Sequence, residues 1–204
     1  MSRSCTGAIS LSVECVFTDE LTPLLLRLPL LERLVADLAF CTHFDFLVAL
    51  TRLVSLTLSL SGIEVDAWND LLAVFTSDGL TRLHTLDLWN GPCSSDGLVQ
   101  ILSHTPSLTS LEFTGMESVA SLSFFRQLPL LAHSLTHLAL DCHTACAWSA
   151  ADLQPLLMLQ QLRELRLLNW PTEGPHKLSA EDRAPFEQRP CIVLPQLEVF
   201  KWPT

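Results

Sequence analysis

Residues 50–60 read LTRLVSLTLSL and residues 80–90 read LTRLHTLDLWN, with leucines at the same offsets and other letters changed between them. Counting the first leucine as position 0, apolar residues fall at positions 0, 3, 6 and 8. Leu50, Leu53, Leu56 and Leu58 obey this frame, as do Leu80, Leu83, Leu86 and Leu88, and Leu159, Leu162, Leu165 and Leu167. Leu108, Leu111 and Phe113 keep the last three positions, and so do Leu135, Leu138 and Leu140. A C-terminal copy reads Leu194, Leu197, Phe200, Trp202, and weaker copies begin at Leu28 and Cys5. The starts, at 5, 28, 50, 80, 105, 132, 159 and 194, lie 22 to 35 residues apart. A period of this length marks a stack of supersecondary units.

Positions 6 and 8 differ by two, so on an extended chain both side chains face one side. Positions 0 and 3 lie one turn apart and lead the chain into that strand. The pattern predicts strands near 10–13, 55–59, 85–89, 110–114, 137–141, 164–168 and 199–202. Each is too short to stand alone and is stabilised only by its neighbours in a parallel ladder. Leu56, Leu86, Leu111, Leu138 and Leu165 are expected to form one buried column. Between strands, residues 65–79 carry apolar side chains at 68, 71, 72 and 75, the stripe of a helix buried on one side, with Gly79 as the stop. Residues 94–107 repeat the plan behind a serine N-cap, and helices are also expected within 118–131 and 149–161, shortened by Pro129 and Pro155. One stretch, 170–193, breaks the rhythm with four prolines, seven charged residues and a single leucine, and reads as a surface insertion.

Five copies in register resemble the leucine-rich-repeat family, whose consensus is LxxLxL followed by Asn or Cys. The resemblance covers nearly the whole chain. It implies an α/β solenoid, a horseshoe with a parallel sheet on the concave face and helices on the convex face, in one domain (1–204) of about eight repeats. Lines such as SSDGLVQILSHTPSLTSLEF look most like F-box leucine-rich-repeat proteins and, less closely, ribonuclease inhibitor. The departure lies just after the strand. Asn90, Cys142 and Asn169 come one residue earlier than the family spacing, and the same site is elsewhere Leu38, Leu60 or Gly115. A regular asparagine ladder is therefore not expected, and the turn amides must find other partners.

Composition narrows the function. Leucine fills 44 of the 204 positions, hydrophobic residues make up 49% and charged residues 17%, which excludes general disorder. No leucine-rich run reaches the ~18 unbroken apolar residues of a membrane span. The N-terminal run is broken by Glu14 and lacks a cleavage site, so no secretory leader is expected. Seven scattered cysteines fit free thiols in a reducing compartment, cytoplasm or nucleus. A net charge of −10 without a basic cluster disfavours nucleic acid as a partner.

Catalytic spacing is missing: there is no GxGxxG, Walker loop, HExxH or GxSxG. In DCHTACAW, Cys142, His143 and Cys146 are too few for a metal site, and neither metal nor cofactor is expected. What the repeat leaves free are positions 5, 7 and 9, which alternate with the buried pair and point out of the opposite face of the ladder. On that wall stand Asp87, Trp89, Glu112, His137, Asp141, Glu164 and Arg166. One aromatic among carboxylates on neighbouring strands suits a basic, partly apolar protein or peptide. The resemblance implies a non-catalytic recognition module, such as the substrate-holding part of an F-box ubiquitin-ligase adaptor. The alternative is a regulator of a small GTPase or an enzyme, of the Ran GTPase-activating-protein or ribonuclease-inhibitor type. Neither end looks like a dedicated cap, so further sequence or end-to-end self-association is expected.

Overall fold

The computed structural model describes residues 10–77, 79–92, 94–115, 127–128, 133–141, 154–168 and 199–201. Eight strands run Ser10–Thr18 (β1), Arg33–Phe40 (β2), Ser55–Ser59 (β3), Thr85–Trp89 (β4), Ser110–Thr114 (β5), His137–Asp141 (β6), Glu164–Leu168 (β7) and Val199–Lys201 (β8). They form one parallel sheet in strict sequence order. Among the described residues, four α-helices lie between them, at Thr22–Leu25 (α1), Asp45–Ala49 (α2), Val65–Thr76 (α3) and Ser95–His104 (α4).

The role of positions 0 and 3 is visible in the backbone. In the repeats beginning at 28, 50, 80, 105 and 159, the position-3 N–H donates to the position-0 carbonyl at 2.9–3.1 Å, closing a tight turn before the strand. The next carbonyl is shared: those of Glu32, Val54, His84, Thr109 and Thr136 each accept from two successive N–H groups of the following repeat at 2.8–3.0 Å. Each turn is thereby registered on the one before it. Leu34, Leu56, Leu86, Leu111, Leu138 and Leu165 are direct cross-strand partners in series, and none is more than 1% exposed. Burying each such side chain contributes about 1.5–3 kcal/mol.

Repeat length decides how much helix fits. The 30 residues from 50 to 80 leave room for α3, 12 residues long, which buries Trp68, Leu71, Leu72, Val74 and Phe75. It ends at Thr76, with Ser77 closing the last turn by donating its N–H and hydroxyl to the Val74 carbonyl, so Gly79 is not the stop. Helix α4 starts where the serines predict, with the Ser94 Oγ accepting from the Gly97 N–H at 3.1 Å. Its C-terminus supplies the one departure from leucine at position 0 among these turns. Thr105 is 1% exposed and donates its hydroxyl to the Ile101 carbonyl at 2.8 Å, which satisfies a polar group where leucine usually sits.

Three details differ from the sequence expectation. Strand β2 extends from Arg33 to Phe40 although its leucines are sparse, because β1 and β3 template it on both sides. Strand β1, expected near 10–13, is nine residues long and irregular: Ser12 pairs with Val35 and Val16 with Asp37, a register shift within the ladder. Within 149–161 the described residues hold a 3-10 helix, Gln154–Met158, with Pro155 in its first turn. The expected helix at 118–131 lies almost wholly outside the described residues, as do the insertion at 170–193 and Cys142, His143 and Cys146.

After the strands, the asparagine ladder is replaced by main chain. The Leu60 N–H donates to the Trp89 carbonyl at 2.8 Å and the Asn90 N–H to the Thr114 carbonyl at 2.9 Å. Leu60 itself is fully buried. Asn90 has φ 54° and Gly115 φ 62°, both left-handed, and a Cβ on Gly115 would lie 2.0 Å from the Asn90 Oδ1. The left-handed φ at Gly115 favours glycine there, and any side chain would also have to displace the Asn90 amide oxygen.

At the N-terminal end, the Asp19 carboxylate ties the corner after β1 to the loop after β2. It accepts from the Thr42 hydroxyl at 2.7 Å, the Thr42 and His43 N–H groups at 3.2 and 3.3 Å and the Cys41 thiol at 3.2 Å. The Thr42 hydroxyl, foremost, holds this carboxyl below its ordinary range. Burial, then the hydrogen bond to Asp19, pushes the Cys41 thiol up to about 12, so this cysteine is packing material and not a nucleophile.

Replacing Leu111 by Ala opens a cavity in mid-column and is expected to cost about 2–5 kcal/mol, read as a lowered urea midpoint with unchanged slope. A cost below about 1 kcal/mol would mean the column is not a shared core.

Candidate functional site

The open face is set by register. Strands β3, β4 and β5 bury their second and fourth residues and leave the others half-buried or exposed. Position 7 forms a row across the sheet in which Thr57 faces Asp87, Asp87 faces Glu112, Glu112 faces Ala139 and Ala139 faces Arg166. Position 9 places Trp89 between Ser59 and Thr114. Those short neighbours leave the indole 41% exposed.

Asp87 and Glu112 are two carboxylates directly opposite one another on adjacent parallel strands. At a strand spacing of about 5 Å their repulsion is about 1–3 kcal/mol, depending on how well solvent screens it. Burial, and after it the charge of Glu112, pushes the Asp87 carboxyl up to about 6, although the Trp89 indole N–H donates to Asp87 Oδ1 and pulls the other way. Trp89 is thus tied to its own strand through its indole N–H while the residue stays exposed. Among the described residues neither Asp87 nor Glu112 has a cationic partner.

Two strands further on, charge is matched. Arg166 donates its Nε–H to Glu164 Oε1, two residues back on the same face, and His137 Nε2 stands 3.9 Å from Glu164 Oε2. The Thr136 hydroxyl lies 2.7 Å from His137 Nδ1. Between this group and Glu112 sits Ala139, 5% exposed, under a depression of about 120 Å³ walled by Ser110, Glu112, His137, Glu164 and Arg166.

No family profile matches the chain, and no curated protein matches it. Solved structures do: 55 chains align with it. One is an internalin from Listeria monocytogenes strain 4b F2365, with 16% identity and a TM-score of 0.55 over 97% of this chain. That alignment spans 48% of the internalin, so the chain covers about half the length of the structure it resembles. The fold is a leucine-rich-repeat solenoid. At this identity the likeness extends to architecture alone, and the repeat subfamily is not distinguished by it.

Within the solenoid, the seven wall residues do not form one cluster. Asp87, Trp89 and Glu112 come together at β4–β5, and His137, Glu164 and Arg166 at β6–β7. Asp141, also expected on the partner-binding wall, stands apart from the Asp87–Glu112 pair. It lies at position 9, opposite Leu168, outside the row that holds Asp87 and Glu112. Its strand faces β5 through Ala139, not through an acid. His137 faces Glu164 across β6 and β7. The sequence reading passed over Ala139, whose signal was its small size in a row of longer side chains. Among the described residues no group of three His, Cys, Asp or Glu side chains could hold a metal ion, and no helix is long and apolar enough to cross a membrane.

The raised Asp87 value has a consequence for stability. The folded protein holds that proton more tightly than the unfolded chain, so the associated stability is fully present below about pH 4 and lost as pH rises through about 6. Asp87→Asn keeps an acceptor for the Trp89 N–H and removes the repulsion. It is expected to stabilise the solenoid by about 1 kcal/mol at neutral pH, after allowing for solvent screening. Near pH 4 the gain should vanish, as measured by urea unfolding at both pH values. An equal gain at both would mean that the charge of Asp87 is not its source.

Proposed function

We propose that this chain is a non-catalytic protein-recognition module whose binding surface is the open face of β4–β7, and that its partner is a basic protein or peptide segment. One observation carries the reading: among the described residues the Asp87–Glu112 pair has no cationic partner, in a fold that pairs Glu164 with Arg166 two strands on from Glu112, about 10 Å across the sheet. A cationic partner relieves that repulsion on binding, and the adjacent exposed indole offers it an apolar anchor. The absence of any recognised catalytic spacing agrees with such a role.

The finer assignment is a substrate-holding repeat region of an F-box-type ubiquitin-ligase adaptor, supported by the likeness of SSDGLVQILSHTPSLTSLEF and by repeat lengths near those of that family. Regulation of a small GTPase is the weaker reading. A GTPase activator needs an exposed guanidinium in a fixed place, whereas the two arginines expected on the wall, Arg33 on β2 and Arg166 on β7, stand at opposite ends of it, and Arg166 donates its Nε–H to Glu164.

Affinity capture of partners from cell extract, with the wild type, Trp89→Ala and Asp87→Asn/Glu112→Gln, tests the surface. Trp89→Ala should weaken a direct partner by about 2 kcal/mol or more, while Ser55→Ala and Ser59→Ala should leave it unchanged. The association rate should fall as salt rises. An unchanged partner list with both wall variants would remove this face from consideration.

A further inference from the structure

We propose that the depression over Ala139 is a specificity pocket for a single lysine side chain presented by an extended partner segment. The proposal rests on the recognition role given above and assigns the part of the face that selects the partner.

The pocket exists because of one residue's size and one side chain's direction. In the position-7 row Ala139 stands between Glu112 and Arg166, so a long side chain on either neighbour could lie across it. Arg166 does not, because its Nε–H is committed to Glu164 on its own strand, on the same face. Lys201 is opposite Arg166 on β8, on the side away from the pocket. The result is a recess of about 120 Å³ with a methyl floor.

Its walls decide the occupant by charge. Glu112 and Glu164 contribute two carboxylates, Arg166 one guanidinium, and His137 stands 3.9 Å from Glu164. The Arg166 charge is offset by Glu164, so the charge without a match is that of Glu112, backed by Asp87 in the next strand. An anion entering the recess would meet Glu112 unscreened, whereas a cation lowers the repulsion between Glu112 and Asp87. A compact ammonium on a flexible apolar stem fits a small recess with an alanine floor better than a planar guanidinium does.

Geometry adds a spacing. Ala139 is two strands and two residues from Trp89, about 12 Å by ordinary sheet dimensions. Residues four apart in an extended chain span about 13 Å on one face. A partner strand crossing the sheet obliquely can therefore set one side chain on the indole and its lysine, four residues away, in the recess.

The probe is a set of nine-residue peptides, neutral except for one lysine four residues from a leucine, each paired with a copy carrying norleucine in place of lysine. Binding is read by fluorescence anisotropy at low salt. The wild type should bind the lysine peptides at least about five-fold more tightly than their norleucine counterparts. Ala139→Leu, which fills the recess and leaves every charge in place, should abolish that preference, and Ala139→Ser, which leaves it open, should keep it. Thermal unfolding of both variants establishes that they are folded, and a misfolded Ala139→Leu is replaced by Ala139→Val. A lysine preference that survives the filled recess but is lost in Glu112→Gln overturns the pocket and leaves the acidic face as the binding surface. No lysine preference in the wild type overturns both.

Discussion

Everything in this molecule depends on a main-chain carbonyl that belongs to two repeats at once. The oxygens of Glu32, Val54, His84, Thr109 and Thr136 each hold two N–H groups of the next turn. Five-residue strands have no stability alone, and their leucines have nowhere to be buried except against the preceding and following copies. The shared carbonyl fixes the height and phase at which each copy arrives. The leucine column then closes without slippage, since a shift of one residue would turn every leucine to the open face.

That constraint divides the labour of the residues. Once positions 6 and 8 are committed to the core, positions 5, 7 and 9 must face outward, and evolution of binding chemistry is confined to three sites per strand. The core tolerates exceptions only when they are satisfied locally. Thr105 replaces a leucine because the Ile101 carbonyl takes its hydroxyl, and Leu60 replaces an asparagine because the Trp89 carbonyl takes its amide proton. The wall, by contrast, carries an exception that is not locally satisfied. Asp87 and Glu112 repel one another without a cation among the described residues, and Asp87 is shifted toward holding its proton. The same sheet pairs Arg166 with Glu164, so the wall holds a matched and an unmatched carboxylate group side by side among the described residues.

The internalin comparison agrees with this division. Two chains with 16% identity share the solenoid because the frame needs only its apolar positions and turns. The outward positions are free to differ, and for that reason a likeness of fold says nothing about what this face binds.

The sequence by itself determined the period, the strand positions, the buried column and the outward row, because burial in a repeat is a local, periodic property that one line of residues records. It also placed α3 and α4, whose apolar stripes and serine cap are local signals. It did not determine β2, which neighbouring strands impose on a leucine-poor segment, or the register shift within the ladder of β1. Above all it could not say which outward residues meet. Asp87, Glu112 and Asp141 look like a trio along the chain, yet register pairs the first two and sets Asp141 opposite Leu168. The chain likewise does not record that the Arg166 Nε–H meets Glu164, or that the neighbours of Ala139 wall a recess. Side-chain direction and partner choice on the face are set by cross-strand neighbours tens of residues away, and only the assembled sheet holds those distances.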